Sequence, residues 1–211
     1  MSLFPIFLDL SRLRCVVVGG GVVGSRKVKS LIEHNVAHVR VVSPDVHPTM
    51  PHGIEHIAMV YDASHLAGAN LVFATTNNPQ INRQVAADAR AIGALCNIAD
   101  AENSGSSDFV TTPTIKRGPI SIAINSSGSP GLSKLLCNTI DQSLDPAWAG
   151  FAQVVQDMRH ELKTRAGLNE AGRREIMRLL VTPLNFDLYK QSGTLALQEQ
   201  LGRDLNKLRP T

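Results

Sequence analysis

The chain has 211 residues, a hydrophobic content of 43% and a formal net charge of +3 at pH 7. This length and this apolar content allow one large domain, or a domain with a smaller appendage, and exclude a disordered chain. The charge is too small to indicate a nucleic-acid partner. Basic residues in the C-terminal part would suit a small polyanionic substrate, although an ordinary solvated surface explains them equally well.

The three cysteines lie far apart among apolar neighbours, at Cys15, Cys96 and Cys137. An odd number of scattered, apolar-flanked thiols is typical of reduced core residues in a cytosolic protein. Their spacing matches neither a zinc site nor an iron–sulfur site, so we expect no bound metal.

The N-terminus lacks a basic lead, and no apolar run in the chain reaches membrane-spanning length. We therefore expect a cytoplasmic protein with no membrane partner. The apolar opening Phe4–Leu10 predicts a short edge strand ahead of the first central strand.

A β-branched run at Cys15–Val18 is followed by glycines and then by a helical pattern, which predicts a strand, a tight turn and a helix. Gly19, Gly21 and Gly24 fit G-x-G-x-x-G, in which the glycines permit a sharp turn, a close pyrophosphate and close helix packing. The first N–H groups of the helix would face an anion. Because a second strand follows at Val39–Ser43, a dinucleotide site is favoured over a merely structural turn.

The helix after this turn carries apolar residues at helical spacing, at Val28, Leu31 and Ile32. We expect the basic residues beside them to be mostly solvated: Arg26, Lys27 and Lys29.

The second strand ends at Ser43-Pro44-Asp45, where a typical fingerprint carries an acidic residue for the ribose hydroxyl. Ribose contacts would therefore come from a hydroxyl and from backbone groups. No arginine is placed here to pair with a 2′-phosphate, and Asp45 would repel one. The sequence therefore predicts a preference for NAD over NADP.

Between residues 50 and 100 the pattern predicts alternating strands and helices. They are a weak strand at Ile54–Val60, a short helix at Ala63–Ala69, a strand at Leu71–Thr76, a helix at Ile81–Ile92 and a strand at Ala94–Ala99. Asp100 directly follows the last strand, where an open α/β sheet places its chemistry. A helix cap or a turn residue is the structural alternative for Asp100.

The pattern then changes to a predicted antiparallel hairpin, Phe109–Ile115 with Ile120–Asn125. The small-residue loop Ser126–Pro130 leads into a helix through Leu132–Ile140. Its hydroxyls and free amides could hold a carboxylate, and a plain loop with a helix cap is equally consistent. From Asp145 onward the pattern is helical.

Several of these motifs, in this order, resemble the precorrin-2 dehydrogenase family of siroheme biosynthesis, which includes the N-terminal module of bacterial siroheme synthase. They are Pro5-Ile-Phe7, Val18–Gly24 with Arg26-Lys27, Val42–Asp45, Ala74–Asn77, Cys96–Asp100 and Ser126–Pro130. The resemblance covers the chain to about residue 150, and the helical tail matches only in kind.

The resemblance implies an α/β fold with a Rossmann-type parallel sheet at residues 1–112, a small dimerisation region at 113–144 and a C-terminal helical domain at 145–211. It implies NAD contacts at Gly19, Gly20, Gly21, Val22, Val23, Ser43, Pro44, Thr75 and Thr76. Asp100 matches the family's essential aspartate, and Asn97 is expected beside the substrate. The family's loop serine matches Ser126 or Ser127, because this chain is one residue shorter there.

The activity implied is the NAD-dependent oxidation of precorrin-2 to sirohydrochlorin, and iron insertion is left open. We also expect a homodimer, because the hairpin and the helix after it carry more apolar residues than a lone hairpin can bury. A non-catalytic NAD-binding sensor or regulator is the alternative, but no DNA-binding signal accompanies the core. An enzyme of the glutamyl-tRNA reductase type would need a catalytic cysteine domain for which there is no room.

Overall fold

A computed structural model describes residues 3–99, 106–164 and 169–207 of the chain. The chain divides into two compact units, residues 1–111 and residues 112–211. The first unit is an α/β layer structure, and the second combines a hairpin with helices. The three-part division expected at 112 and 144 stays a prediction.

The first unit is built on a parallel sheet of five strands in the order β3-β2-β1-β4-β5. The strands are β1 (Arg14–Val18), β2 (His38–Val42), β3 (Glu55–Ile57), β4 (Leu71–Ala74) and β5 (Leu95–Ile98). The chain moves outward from β1 in one direction and returns to its other side at β4. A sheet of this order opens a crevice at the carboxyl ends of β1 and β4.

Helices cover both faces of this sheet. Helix α1 (Val22–Glu33) packs through Val28 and Leu31 on the face formed by Val17 and Phe73. Helix α2 (Pro79–Ala91) packs on the opposite face, where its buried residues meet Val16, Val18 and Val72. Because β1 and β4 are buried on both faces, they read as continuous apolar runs rather than as alternating patterns.

Two predicted elements are shorter in the structure, and one is absent. Residues 3–9 form no strand, and the Phe4 side chain is 86% exposed, so the predicted edge strand at Phe4–Leu10 is wrong. Apolar content marks a segment that can pair, but pairing also needs a free strand edge, and Pro5 has no N–H to donate. The predicted strand at 54–60 is limited to β3, and the helix at 63–69 is a single 3₁₀ turn, Ala63–Leu66.

The second unit begins with the predicted hairpin, formed by β6 (Thr114–Arg117) and β7 (Ile120–Ala123). Four helices follow: α3 (Pro130–Ser143), α4 (Ala147–Thr164), α5 (Glu170–Leu180) and α6 (Pro183–Lys207). The last three share one core, in which the Trp148 ring stacks on Phe186 with centroids 3.8 Å apart. Over the described ranges, no helix has both the length and the apolar character needed to cross a membrane.

Candidate dinucleotide-binding site

The turn after β1 can be made only by glycine at its first position. Gly19 has φ +110°, and a Cβ there would lie 2.7 Å from the carbonyl carbon of Thr75. The Gly19 N–H donates to the carbonyl of Val42 at the end of β2 (2.9 Å). The turn is therefore wedged between the carboxyl ends of β2 and β4, where the fold opens its crevice.

The next glycines differ in what surrounds them. A Cβ on Gly20 would lie 2.3 Å from the carbonyl oxygen of Asp45, and one on Gly24 would lie 2.0 Å from that of Gly19. These two positions therefore allow the following loop and α1 to close on the turn. A Cβ on Gly21 would meet no atom of the described residues within 4 Å. The turn is thus tightly packed on its protein side and open at Gly21.

Gly21 is also the N-cap residue directly before α1, and as a glycine it has no side chain with which to cap the helix. The N–H groups of Val22, Val23 and Gly24 belong to the first turn, where a helix has no internal acceptors. The first turn carries no acidic residue, so the positive end of the helix dipole is not neutralised. Backbone donors, a positive helix end and space without a side chain together fit a pyrophosphate.

The loop after β2 is tied to the glycine turn and the start of α1 by two hydrogen bonds, and a third hydrogen bond braces the loop itself. The His47 N–H donates to the Gly20 carbonyl (2.7 Å), and the buried Ser25 hydroxyl donates to the Thr49 carbonyl (2.7 Å). The Thr49 N–H donates to His47 Nδ1 (3.2 Å). This loop carries Ser43, Pro44 and Asp45, the residues predicted to lie beside the ribose. Ser25 was not among the predicted site residues, because its partner lies 24 residues further along the chain.

The threonine hydroxyls of the loop after β4 make hydrogen bonds to neighbouring parts of the first unit. Thr75 is buried, and its Oγ1 lies 3.0 Å from the carbonyl oxygens of both Val18 and Gly19. Thr76 bonds through its hydroxyl and its N–H to Asn82 Oδ1, at 2.7 and 3.1 Å. Thr75 therefore holds the glycine turn in shape, and Thr76 fixes the loop on the start of α2.

Asn97 lies on β5, opposite Phe73 of β4, and is only 6% exposed. Its Nδ2 donates to the carbonyl of Phe109 (2.9 Å), whereas its buried Oδ1 has no hydrogen-bond partner among the described residues. A buried acceptor without a partner is uncommon and is a place where a ligand or a water can bind. Asp100, the predicted catalytic residue, lies outside the described residues.

Lys27 is not solvated as the sequence predicted. Its side chain is half-buried, and Nζ donates to Thr111 Oγ1 and lies 5.7 Å from the centre of the Phe73 ring. Burial, with a smaller contribution from the neighbouring Arg26 charge, lowers the pKa of the Lys27 ammonium. Lys27 follows Gly24 by three residues and precedes Leu31 by four, and both are buried. The three- and four-residue spacing from these buried positions is the signal that could have placed Lys27 on the inner face of the helix.

The two candidate serines of the second unit have different environments. The Ser126 hydroxyl donates to the Ser129 carbonyl (2.6 Å) and lies 2.6 Å from the Ser133 hydroxyl, so it anchors the loop to α3. Ser127 is exposed and has φ +49°. Ser127 is therefore the more exposed of the two candidate serines.

Among the predicted NAD contacts, the structure gathers Gly19–Val23, Ser43–Pro44 and Thr75–Thr76 at the carboxyl ends of β1, β2 and β4. Within the part of the chain that the structure describes, no group of three His, Cys, Asp or Glu side chains could hold a metal ion. The fold and this arrangement define a Rossmann-type dinucleotide-binding protein.

A family model described as "Putative NAD(P)-binding" matches residues 6–112. The chain belongs to this NAD(P)-binding family. A solved structure of SirC, precorrin-2 dehydrogenase, aligns over 97% of this chain and 100% of its own, with a TM-score of 0.75 and 18% identity. This similarity confirms the predicted fold class.

The chain is 35% identical to the siroheme synthase of Methylobacillus flagellatus over 171 residues, which are 78% of this chain and 36% of that protein. It is 33% identical to the siroheme synthase of Thioalkalivibrio sulfidiphilus over 212 residues, covering 97% of this chain and 42% of that one. These relatives support the resemblance that the motifs indicated. The chain spans about two fifths of the length of the curated relatives it matches.

Proposed function

We propose that this protein oxidises precorrin-2 to sirohydrochlorin with NAD in siroheme biosynthesis. The observation that carries the proposal is the space beside Gly21 together with the first backbone N–H groups of α1, in a chain 35% identical to a siroheme synthase. A Rossmann site supplies cofactor binding, and the siroheme relatives indicate which kind of substrate the cofactor would oxidise.

When bound, NAD supplies the hydride acceptor. The N–H groups of Val22, Val23 and Gly24 would hold its diphosphate, and Ser43 with the backbone of Pro44 would lie beside the ribose. Thr75 would keep the turn in the shape that this requires. The protein's contribution to the redox step is therefore orientation of the cofactor.

A carboxylate would assist removal of the proton from the macrocycle, and we assign this role to Asp100 by its resemblance to the family's essential aspartate. Asn97 would bind or orient the substrate, and its unpartnered Oδ1 supports this role. The loop serines Ser126 and Ser127 would lie near a substrate carboxylate, with Ser126 shaping the loop and Ser127 free to donate. Insertion of iron into the product stays open as a second activity.

NAD is proposed as the cofactor in preference to NADP. Asp45 follows the end of β2 and is exposed, and its charge would oppose a 2′-phosphate. A binding titration should give clearly weaker affinity for NADP, and comparable affinities for the two cofactors would contradict the proposal.

We also propose that the protein acts in the cytoplasm as a homodimer. Helix α3 exposes three leucines in the described structure, Leu132, Leu135 and Leu136, and Leu135 is 62% exposed. A second copy of the chain could cover this apolar row. Sedimentation at micromolar concentration should give a dimer, and a monomer would contradict the assignment.

The activity is tested by following absorbance while the protein is mixed with precorrin-2 and NAD. The Asp100→Asn variant should lower turnover about a hundredfold, the usual scale of general acid–base catalysis, with NAD affinity nearly unchanged. A capping role would instead cost about 1 kcal/mol of stability and leave turnover largely intact. NAD binding without any turnover of precorrin-2 by the unmodified protein would favour the non-catalytic sensor.

A further inference from the structure

Lys27 connects α1 to the last residues of the first unit. Its Nζ donates to Thr111 Oγ1, across 84 residues of sequence. The Nζ also lies over the Phe73 ring, which packs edge to face against Phe109 with centroids 5.4 Å apart. One ammonium group therefore contacts the segment 109–111 and the β4 ring on which that segment packs.

The segment 106–111 runs beside β5 and is attached to it by side-chain hydrogen bonds and by one backbone hydrogen bond. The Ile98 N–H donates to Ser107 Oγ and the Cys96 N–H to Asp108 Oδ2, both at 2.9 Å. The Asp108 N–H donates to the Cys96 carbonyl (2.8 Å). Asn97 completes the attachment by donating from Nδ2 to the Phe109 carbonyl.

Packing alone does not require a charge at Lys27. An apolar side chain would fill the space beside Phe73 without the cost of removing an ammonium from water. In the described part of the chain, no carboxylate forms an ion pair with Lys27. Its contacts there are the Thr111 hydroxyl and the ring face, and both depend on the ammonium.

We propose that Lys27 is a positioning residue, which holds residues 109–111 so that the Asn97 side chain on β5 is kept in one fixed arrangement. The chain of contacts runs from Lys27 to Thr111, and from Phe109 to the Asn97 side chain. Asp100 follows Asn97 by three residues. The role in turnover rests on the proposed function, whereas the anchoring of the segment does not.

The test compares Lys27→Met, which keeps the length of the side chain, with Lys29→Met, the same change at an exposed position of α1. Lys27→Met should lower kcat for precorrin-2 about tenfold, since small misplacements of reacting groups are costly. The KM for NAD should stay within about twofold, because the glycine turn is untouched. Lys27→Arg keeps the positive charge, so its kcat should lie much closer to normal than that of Lys27→Met. Lys29→Met should have the kcat and KM of the unmodified protein.

Thr111→Val removes the hydroxyl that accepts from Lys27. If the two residues act through one contact, Thr111→Val should lower kcat in the same direction, and the double variant should be no slower than Lys27→Met alone. Independent, multiplying effects would overturn the proposal, and so would a Lys27→Met variant whose kcat is within about twofold of normal.

Amide hydrogen exchange provides a readout that does not depend on activity. The amides that join the segment 106–111 to β5, those of Asp108, Cys96 and Ile98, should exchange at least about tenfold faster in Lys27→Met and in Thr111→Val, and at the normal rate in Lys29→Met. If the unmodified protein does not turn over precorrin-2, the proposed function fails while this measurement still decides the anchoring. Unchanged exchange in Lys27→Met would overturn the anchoring itself.

Discussion

Ser25 lies in the first part of α1, and its buried hydroxyl holds the loop that follows β2. Ser25→Ala leaves the Thr49 carbonyl without this donor, which should cost about 1 kcal/mol of stability, the net value of one hydrogen bond. Because the same loop carries the predicted ribose contacts, NAD affinity should fall about fivefold, a loss of similar size. Titration calorimetry with NAD measures this effect directly.

Ser30→Ala is the matched control for this prediction, since Ser30 is an exposed residue on the same helix. It should bind NAD as the unmodified protein does. Equal NAD affinity for the two variants would show that the loop keeps its place without the Ser25 hydroxyl.

The roles of some single residues could be predicted from the sequence, and the roles of others could not. The turn at Gly19 and the close packing at Gly24 could be predicted because both follow from spacing within one short motif. The roles of Ser25 and Lys27 could not, because their partners are Thr49 and Thr111, which only the folded sheet brings near. The periodicity of apolar residues indicates which side chains face the core, but not which groups those side chains contact.

Helix α6 contains a break at Gly193, where φ is 75° and ψ is −170°. A side chain there would meet nothing within 4 Å, so any penalty for a substitution comes from the backbone conformation alone. Gly193→Ala should therefore destabilise the protein by about 1–3 kcal/mol. Urea unfolding followed by circular dichroism gives the change in free energy.

Gly202 is the internal comparison, because it also lies in α6, has open space around it and has no positive φ. Gly202→Ala should stabilise the protein by about 0.5–1 kcal/mol, since alanine favours the helix. If Gly193→Ala stabilises the protein as Gly202→Ala does, the break at Gly193 is not a requirement of the fold.

At the level of elements, the long and strongly patterned segments were predictable. The strands at β1, β4 and β5 and the helices α2 and α3 lie within a few residues of their predicted bounds. The errors fall on residues 3–9 and on the region from 54 to 69, where elements are short and depend on neighbours that the local pattern does not contain.

The stability of the whole chain should depend on two buried thiols at alkaline pH. Burial raises the pKa of Cys15 to about 11. Burial, helped by the Asp108 charge, raises that of Cys96 to about 12. In the unfolded chain a thiol ionises at about 8.5. The neutral thiols therefore stabilise the folded state fully below that pH, and this contribution is lost as pH rises toward the folded values.

Unfolding free energies measured in urea at pH 7, 9 and 10 should therefore fall progressively above pH 8.5. The unfolding free energy of the Cys96→Ala variant should fall less steeply over the same pH interval. Its value at pH 7 should be lower than normal, because a buried side chain is lost. A thiol reagent at pH 8 should react with the folded chain only as fast as it unfolds. Rapid labelling of all three cysteines in the folded protein would contradict this view of its interior.

The side-chain attachment of residues 106–111 also governs what the sheet offers to other chains. A terminal strand normally presents a row of free N–H and C=O groups, onto which a foreign strand can add. On β5, the backbone N–H groups of Cys96 and Ile98 already donate to Asp108 and Ser107, and the Asn97 side chain donates to the Phe109 carbonyl. All of these residues precede residue 112, so they belong to the first unit. The β5 edge of the nucleotide-binding half is therefore covered by residues of the same half, so this edge would not seed aggregation if that half were joined to unrelated domains.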